Sequence, residues 1–269
     1  MATRPTWGVI GPPLKENGKR ADFKFEFFET LLESKGYRMA WWRASICPCA
    51  PVNVQGDTPD PNCPLCHGIG WLYFGADAPV PAAAGELDDI QREIIGTDST
   101  NHASVIRAIQ TGLQERPDTL DRQGRWIAGE TVVTVRHENQ IGYWDRLVNL
   151  DAQMVFAELL TAGSNLVLPG RYLMTGVNIL RSRDMVYRPD VDFGLELGRI
   201  KWLPGHAPAV GTRLSCHYLC HPSWVVVDHP HTIRASNKKF KTKYPQTPQG
   251  NYRSLPLQGH VRLEFLTSQ

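Results

Sequence analysis

The chain has 269 residues, 42% hydrophobic and 21% charged, a composition that fits a folded protein with a sizeable core and excludes a disordered or collagen-like chain. Its 29 basic and 27 acidic residues leave a formal net charge of +2, so bulk electrostatics select no acidic partner. No apolar run approaches the roughly 20 residues that span a bilayer, and Arg4, Lys15, Glu16, Lys19 and Arg20 interrupt any apolar signal core. A soluble protein made in the cytoplasm, with no membrane partner, is the expectation. In that reducing compartment clustered cysteines read as metal ligands before disulfides.

Taken in chain order, residues 1–20 read as an extended arm, because Pro5, Gly11, Pro12 and Pro13 break any helical period. A helix follows. Asp22 can cap it, Phe23, Phe27 and Leu31 recur every four residues beside Phe28 and Leu32, and Gly36 suits its end. Residues 37–46, with Trp41 and Trp42, read as a strand entering the cysteine cluster, and 71–74 as a strand leaving it. Residues 78–96 form a linker; Pro79 and Pro81 mark its start, and 86–95 is a short acidic helix or a turn.

Strand signals dominate from about residue 97, at 131–135, 142–148, 172–180, 185–187, 198–203, 213–219 and 224–227, each bounded by Gly, Pro, Asp or Asn. Residues 154–162 fit a helical period nearly as well as an alternating one. The stretch 244–252 is irregular, before a last strand at 260–266. The 23 glycines and 20 prolines are spread along the chain, as in a turn-rich β architecture. The expected organisation is an arm at 1–20, a helix plus zinc-ribbon-like subdomain at 21–77, a linker at 78–96, a β-rich body at 97–233, and a basic, Pro/Gln-rich arm with a final strand at 234–269. The fold class is mainly β, a barrel or sandwich body with few helices.

The sharpest chemical signal is Cys47-Pro-Cys49 followed by Cys63-Pro-Leu-Cys66-His67-Gly68-Ile69-Gly70. Two thiolate pairs on tight turns can close a tetrahedral shell around one structural zinc, with sulfurs at about 2.3 Å. Gly68 and Gly70 let the backbone turn its N–H groups toward the sulfurs. The one-residue gap of Cys47-Pro-Cys49 is tighter than the usual two to four, which leaves His67 as a competing ligand. Locally the Cys-x-x-Cys-x-Gly-x-Gly string resembles the knuckles of the DnaJ cysteine-rich domain, over eight residues and without functional implication.

Three other groups invite a chemical reading. Cys216 and Cys220 share a face if their segment is a strand, but then lie roughly 13 Å apart, too far for one ion. His217, His221, His229 and His231 are the residues around which a metal hydrolase would be built, without any His-Glu-x-x-His helix to support it. Arg234, Lys238, Lys239, Lys241 and Lys243 form a basic run near Phe240 and Tyr244, suited to subunit contact or to phosphates. Gly-x-Gly-x-x-Gly, P-loop and Gly-x-Ser-x-Gly signatures are missing, and a non-enzymatic role is the expectation.

Two longer stretches carry a resemblance. One runs Gly124-Arg125-Trp126-Ile127-Ala128-Gly129-Glu130 into residues 131–135 and on to Ile141-Gly142-Tyr143-Trp144-Asp145-Arg146-Leu147. The other comprises Arg188-Pro189-Asp190-Val191-Asp192-Phe193-Gly194, Gly198-Arg199-Ile200-Lys201-Trp202, Gly211-Thr212-Arg213-Leu214 and Pro222-Ser223-Trp224-Val225-Val226. Together with the cysteine knuckle they resemble virion structural proteins of tailed bacteriophages. The resemblance implies a ring subunit of the neck, a collar or head-to-tail connector, with a baseplate or tail subunit and a zinc-ribbon nucleic-acid-binding protein as alternatives. It further implies localisation in the virion. The partners would be further copies of the chain, other virion proteins such as portal, connector or tail terminator, and packaged DNA contacted non-specifically. Eight tryptophans suit that role, since Trp, Tyr and Arg dominate interface hot spots.

Overall fold

The computed structural model describes residues 25–49, 59–66, 68–75, 87–96, 101–112, 129–163, 166–167, 169–228, 235–236, 253–254 and 256–267. The expected arm at 1–20, residues Asp22 and Phe23, and the basic run from Arg234 to Lys243 lie outside them, apart from Ala235 and Ser236. Those two, strand β14 (Ala235–Ser236), pair with β15 (Arg253–Ser254) in a small two-stranded sheet.

Helix α1 (Phe25–Lys35) ends where the Gly36 amide closes onto the Leu32 carbonyl at 3.0 Å. It buries Phe28 and Leu32, while Phe27 stands exposed, so the apolar stripe turns only one flank to the protein. Arg136 pairs with Glu29 at 2.7 Å and the Arg107 guanidinium donates to the Glu33 carbonyl at 3.2 Å, tying the helix to the body.

The body begins with strand β1 (Tyr37–Ile46). Its first half pairs on one side with β3 (Ser104–Gly112) and on the other with β5 (Arg146–Asn149). Strand β3 pairs β4 (Glu130–Val135), β4 pairs β16 (Leu257–Leu263), β16 pairs β13 (Ser223–Asp228), and β13 pairs β5. The circuit closes into a six-stranded antiparallel barrel. Closure removes every free edge from the ring. Alternate residues point inward: Met39 and Trp41, Ile106 and Ala108, Val133 and Val135, Leu147, Val226 and Val261 form one core. The expected strand at 142–148 is shorter than its apolar pattern suggests, because residues 142–145 turn instead.

The second half of β1 leaves the barrel and pairs with β2 (Trp71–Phe74), Arg43 opposite Phe74 through Ile46 opposite Trp71. A short helix α2 (Asp89–Ile95), capped by the Asp88 side chain on the Gln91 amide at 2.7 Å, lies within the stretch expected as a linker. It packs Leu87 and Ile95 with Ala40, Val148 and Leu150.

A second core sits in a β-sandwich. One layer is β6 (Met154–Thr161), β12 (Arg213–Cys220), β8 (Met174–Arg181) and β9 (Val186–Tyr187), in that order. The other is β10 (Phe193–Glu196), β11 (Arg199–Trp202) and β7 (Leu166–Val167). Leu160, Met174, Leu180, Phe193, Ile200, Trp202, Leu214 and Tyr218 interlock between them. Residues 154–161 resolve as strand, not helix. The fold is mainly β with two short α-helices among the described residues.

Asp145 holds the point where β1 changes partners. Its buried carboxylate accepts from the Trp41 indole at 2.7 Å, the Ala44 amide at 2.9 Å and the Gly142 amide at 2.7 Å. Removing it leaves the buried Trp41 indole and two half-buried amides without their acceptor. Asp145→Ala is expected to cost on the order of 3 kcal/mol of unfolding free energy, read as a lower urea midpoint; an unchanged midpoint would refute this role.

Candidate metal centre

The thiol pair Cys47 and Cys49 follows directly on the end of β1, and Cys63 and Cys66 sit on the turn that precedes β2. Because Ile46 pairs with Trp71, and the Cys47 amide donates to the Gly70 carbonyl at 2.9 Å, the ladder itself brings the two turns together. All four sulfurs lie within 4.8 Å of one another. Cys47 and Cys63 are 3.7 Å apart, Cys49 and Cys66 3.4 Å. A tetrahedron with metal–sulfur bonds of about 2.3 Å has edges of about 3.8 Å, so this cluster has the dimensions of a four-thiolate shell. The tight Cys47-Pro-Cys49 gap is no obstacle to that. His67 lies outside the described residues.

Backbone amides face the sulfurs, and they split the thiols into two kinds. The Cys66 and Leu65 amides donate to the Cys63 sulfur and hold its pKa below the ordinary thiol value. Burial pushes Cys66 up, but the Gly70 and Gly68 amides, with the Cys49 thiol, outweigh it and bring it down to about 7. Cys49 goes the other way, raised first by burial and then by the neighbouring thiols. Cys47 is lowered by the Cys49 amide, yet burial and its neighbours leave it raised overall. Cys63 and Cys66 thus give up their protons more readily than an ordinary thiol, and a cation is what would draw protons off Cys47 and Cys49.

Gly68 and Gly70 have φ of +83° and +81°, the left-handed region that side chains disfavour. A Cβ on Gly70 would stand 3.0 Å from Pro59 Cγ, and one on Gly68 would stand 3.1 Å from Pro61 Cα. The prolines behind the knuckle, and a main-chain hydrogen bond from Asp60 to the Cys49 sulfur, had no sequence signal. Neither had the stacking of Trp71 on Trp144, with centroids 5.1 Å apart and planes at 19°. That contact fastens the ribbon to the barrel.

The other candidates do not assemble. Cys216 and Cys220 lie on one buried face of β12, inside the sandwich, where burial, reinforced by Glu158, pushes both thiols up to about 12. His217 is on the opposite face of that strand and half-buried, whereas His221 is buried with Nδ1 against the Asn149 and Ala152 carbonyls at 3.1 and 2.9 Å. His229 and His231 lie outside the described residues. Among the described residues the four cysteines are the one group of three or more Cys, His, Asp or Glu with metal-site spacing.

No protein-family model matches the chain, and a search of the curated proteins finds no match. The chemistry of the site therefore stands on its own geometry: a ribbon whose four thiols can coordinate a metal.

Cys63→Ser is expected to abolish stoichiometric metal binding, measured as bound metal per chain. Gly70→Ala is expected to weaken the knuckle by about 1–2 kcal/mol, read as faster metal loss to a chelator. Protons compete with metal for sulfur, so affinity falls as pH drops. With the Cys66 thiol brought down to about 7, the fall in a chelator competition should steepen as pH drops below that value and Cys66 begins to take up a proton.

Proposed function

We propose that this is a zinc-ribbon protein that works by binding other macromolecules and not by turnover. The observation that carries the reading is the four-sulfur cluster between β1 and β2, all four sulfurs within 4.8 Å of one another and two of the separations, 3.7 and 3.4 Å, close to the edge of a tetrahedral thiolate shell. Four protein thiolates leave no open position for substrate, which is the pattern of a structural zinc and not a catalytic one. Zinc suits the site because a d¹⁰ ion accepts tetrahedral thiolate without redox chemistry. Its work is to hold a ribbon too small to have a core of its own. Elemental analysis should return one zinc per chain; a coloured protein with stoichiometric iron would overturn this choice of metal.

Zinc ribbons commonly present a hairpin to nucleic acid, and the ribbon here leaves Arg43, Leu65, Ile69 and Phe74 at its surface. In this reading the basic residues Arg234, Lys238, Lys239, Lys241 and Lys243 supply phosphate contacts. Affinity for a short duplex, followed by fluorescence anisotropy, should then fall linearly in log–log form with salt. The absence of any anisotropy change at low salt would eliminate it.

A specific observation favours a second reading, a structural subunit of a phage virion that forms a ring at the neck or serves in the tail or baseplate. The outer face of the β6–β12–β8–β9 layer carries several exposed apolar side chains among polar ones. Val155 and Leu159 of β6, Ile179 of β8 and Val186 of β9 are all exposed, Leu159 at 69%. Register places Leu159 beside Ser215 and Arg181, and Ala157 beside His217 and Ile179. Such a face suits contact with another subunit. Mass photometry of the protein alone and with neck components should reveal closed assemblies, and Leu159→Lys with Ile179→Lys should reduce them to monomer. A wild-type protein that stays monomeric with those components present would sink this reading.

A further inference from the structure

Two exposed faces of the chain, on different parts of the fold, complement one another in charge and share apolar character. The first is the outer flank of α1, opposite the buried Phe28 and Leu32. The helical period sorts its residues into rows. Glu26 and Glu33 make an acidic row, Phe27 and Leu31 an apolar one, and Thr30 and Ser34 lie between. The two hydroxyls donate to the Glu26 and Thr30 carbonyls at 2.9 and 2.7 Å, so a partner can cover them without leaving a donor unpaired. Phe27 is 69% exposed, and Glu33 meets a cation only at 3.8 Å, on Arg136.

The second face is the outward side of β6, β12 and β8. Register sets Arg181 opposite Ser215, while Arg213, two residues back along β12 on the same side, stands opposite Thr161. The two arginines are therefore diagonal neighbours about 7–8 Å apart, and both are exposed beside Leu159 and Ile179. Glu158, the one acid of these three strands, is turned to the core side, where it accepts from the Tyr218 hydroxyl at 2.7 Å. In the turn beyond Arg181, the exposed Arg183 and Asp184 offset one another in charge. This side of the sheet is basic and apolar, as the flank of α1 is acidic and apolar.

Every copy carries both faces, and each is exposed in the folded chain, so neither covers the other within one molecule. We propose that they meet between copies, the outer flank of α1 in one molecule lying across the outward side of β6, β12 and β8 in the next. Glu26 and Glu33, about 10 Å apart along the helix axis, face the two arginines, and Phe27 and Leu31 pack on Leu159 and Ile179. The contact joins two different surfaces, so it propagates head to tail until it closes into a ring or runs on as a filament. Pairing of two sheets face to face would instead bring four arginines together, an arrangement that like charge disfavours. This inference deepens the structural-subunit reading and rests on it.

The test is sedimentation velocity on the whole chain, purified with zinc, and on two charge-reversal variants, Arg181→Glu with Arg213→Glu and Glu26→Lys with Glu33→Lys. The wild type is expected to sediment as an oligomer that loosens as salt rises. Each variant alone is expected at the monomer mass, because its helix and its sheet then carry charge of one sign. Mixed in equal amounts, the two should assemble again, since each supplies the attraction the other lacks, and that recovery also shows that both are folded. Glu26→Lys alone, which leaves the Glu33 contact with Arg136 in place, should weaken assembly at least about tenfold. Assembly that neither reversal weakens, loss with only one of the two, or no recovery on mixing variants whose thermal midpoints match the wild type would each overturn the proposal. A wild type that is monomeric by itself yet assembles with neck components would overturn this inference and leave the subunit reading standing, whereas one that is monomeric in both conditions removes both.

Discussion

Strand β1 belongs to two structures at once, and the hydrogen bonds of Asp145 hold it in both. Up to Trp42 it is a stave of the barrel; from Arg43 it is one arm of the ribbon. A strand that changes partners must turn its amides from one ladder to another, and the break leaves donors exposed to the interior. The Asp145 carboxylate takes up the indole of Trp41 before the break and the amide of Ala44 after it. Its own loop is pinned in turn, since the Trp144 amide donates to Val226 and the Val226 amide to Asp145. Trp144 adopts φ of 68° there, an uncommon conformation for a bulky residue, and its ring rests on Trp71. The position of the four sulfurs is therefore inherited from the barrel through one carboxylate, one stacked pair of rings and the Arg146 guanidinium lying 4.1 Å over the Tyr73 ring.

The two cores and the metal site divide the structural work unequally. The barrel and sandwich each bury an alternating apolar face from several strands, which is how β layers stabilise themselves. The ribbon has β2, of four residues, and the turn before it, with Leu72 packed on the sulfurs. An element of that size cannot exclude enough water to fold by burial alone. Coordination of a metal by the four thiols would take the place of a core, and the amides directed at Cys63 and Cys66 ease the loss of protons that coordination requires.

Much of this was legible in the sequence, for identifiable reasons. The cysteine spacing with its two glycines named the metal cluster, because ligand geometry is local. Strands β1 and β2 showed in their aromatic residues and β4 in its β-branched run after Gly129. Residues 154–161 were ambiguous because β6 is apolar on both faces: Phe156 and Leu160 pack toward the sandwich core while Val155 and Leu159 face out, and apolar residues on both faces imitate a helical stripe. The barrel's closure was not legible. Pairing of Met39 with Asn149 and of Val261 with Thr131 is a relation between distant segments, and no local pattern encodes it. The sequence offers His221 only as one of four histidines for a metal hydrolase that no His-Glu-x-x-His helix supports. Its real setting depends on the Asn149 and Ala152 carbonyls, some seventy positions away, and these carry no residue-type signature at all.

The place of β16 in the ring has a consequence for how the protein is made. Leu257–Leu263 is wedged between β4 and β13, so synthesis must reach the end of that segment before the barrel can close. Until then the backbone edges of two neighbouring staves lie open, with Val133 and Val226 of the future core uncovered. Topologies dominated by such distant pairings fold slowly, and open edges invite pairing between chains. The nascent protein passes through a period in which its unclosed barrel is adhesive, and the last stave to arrive is the one that ends it.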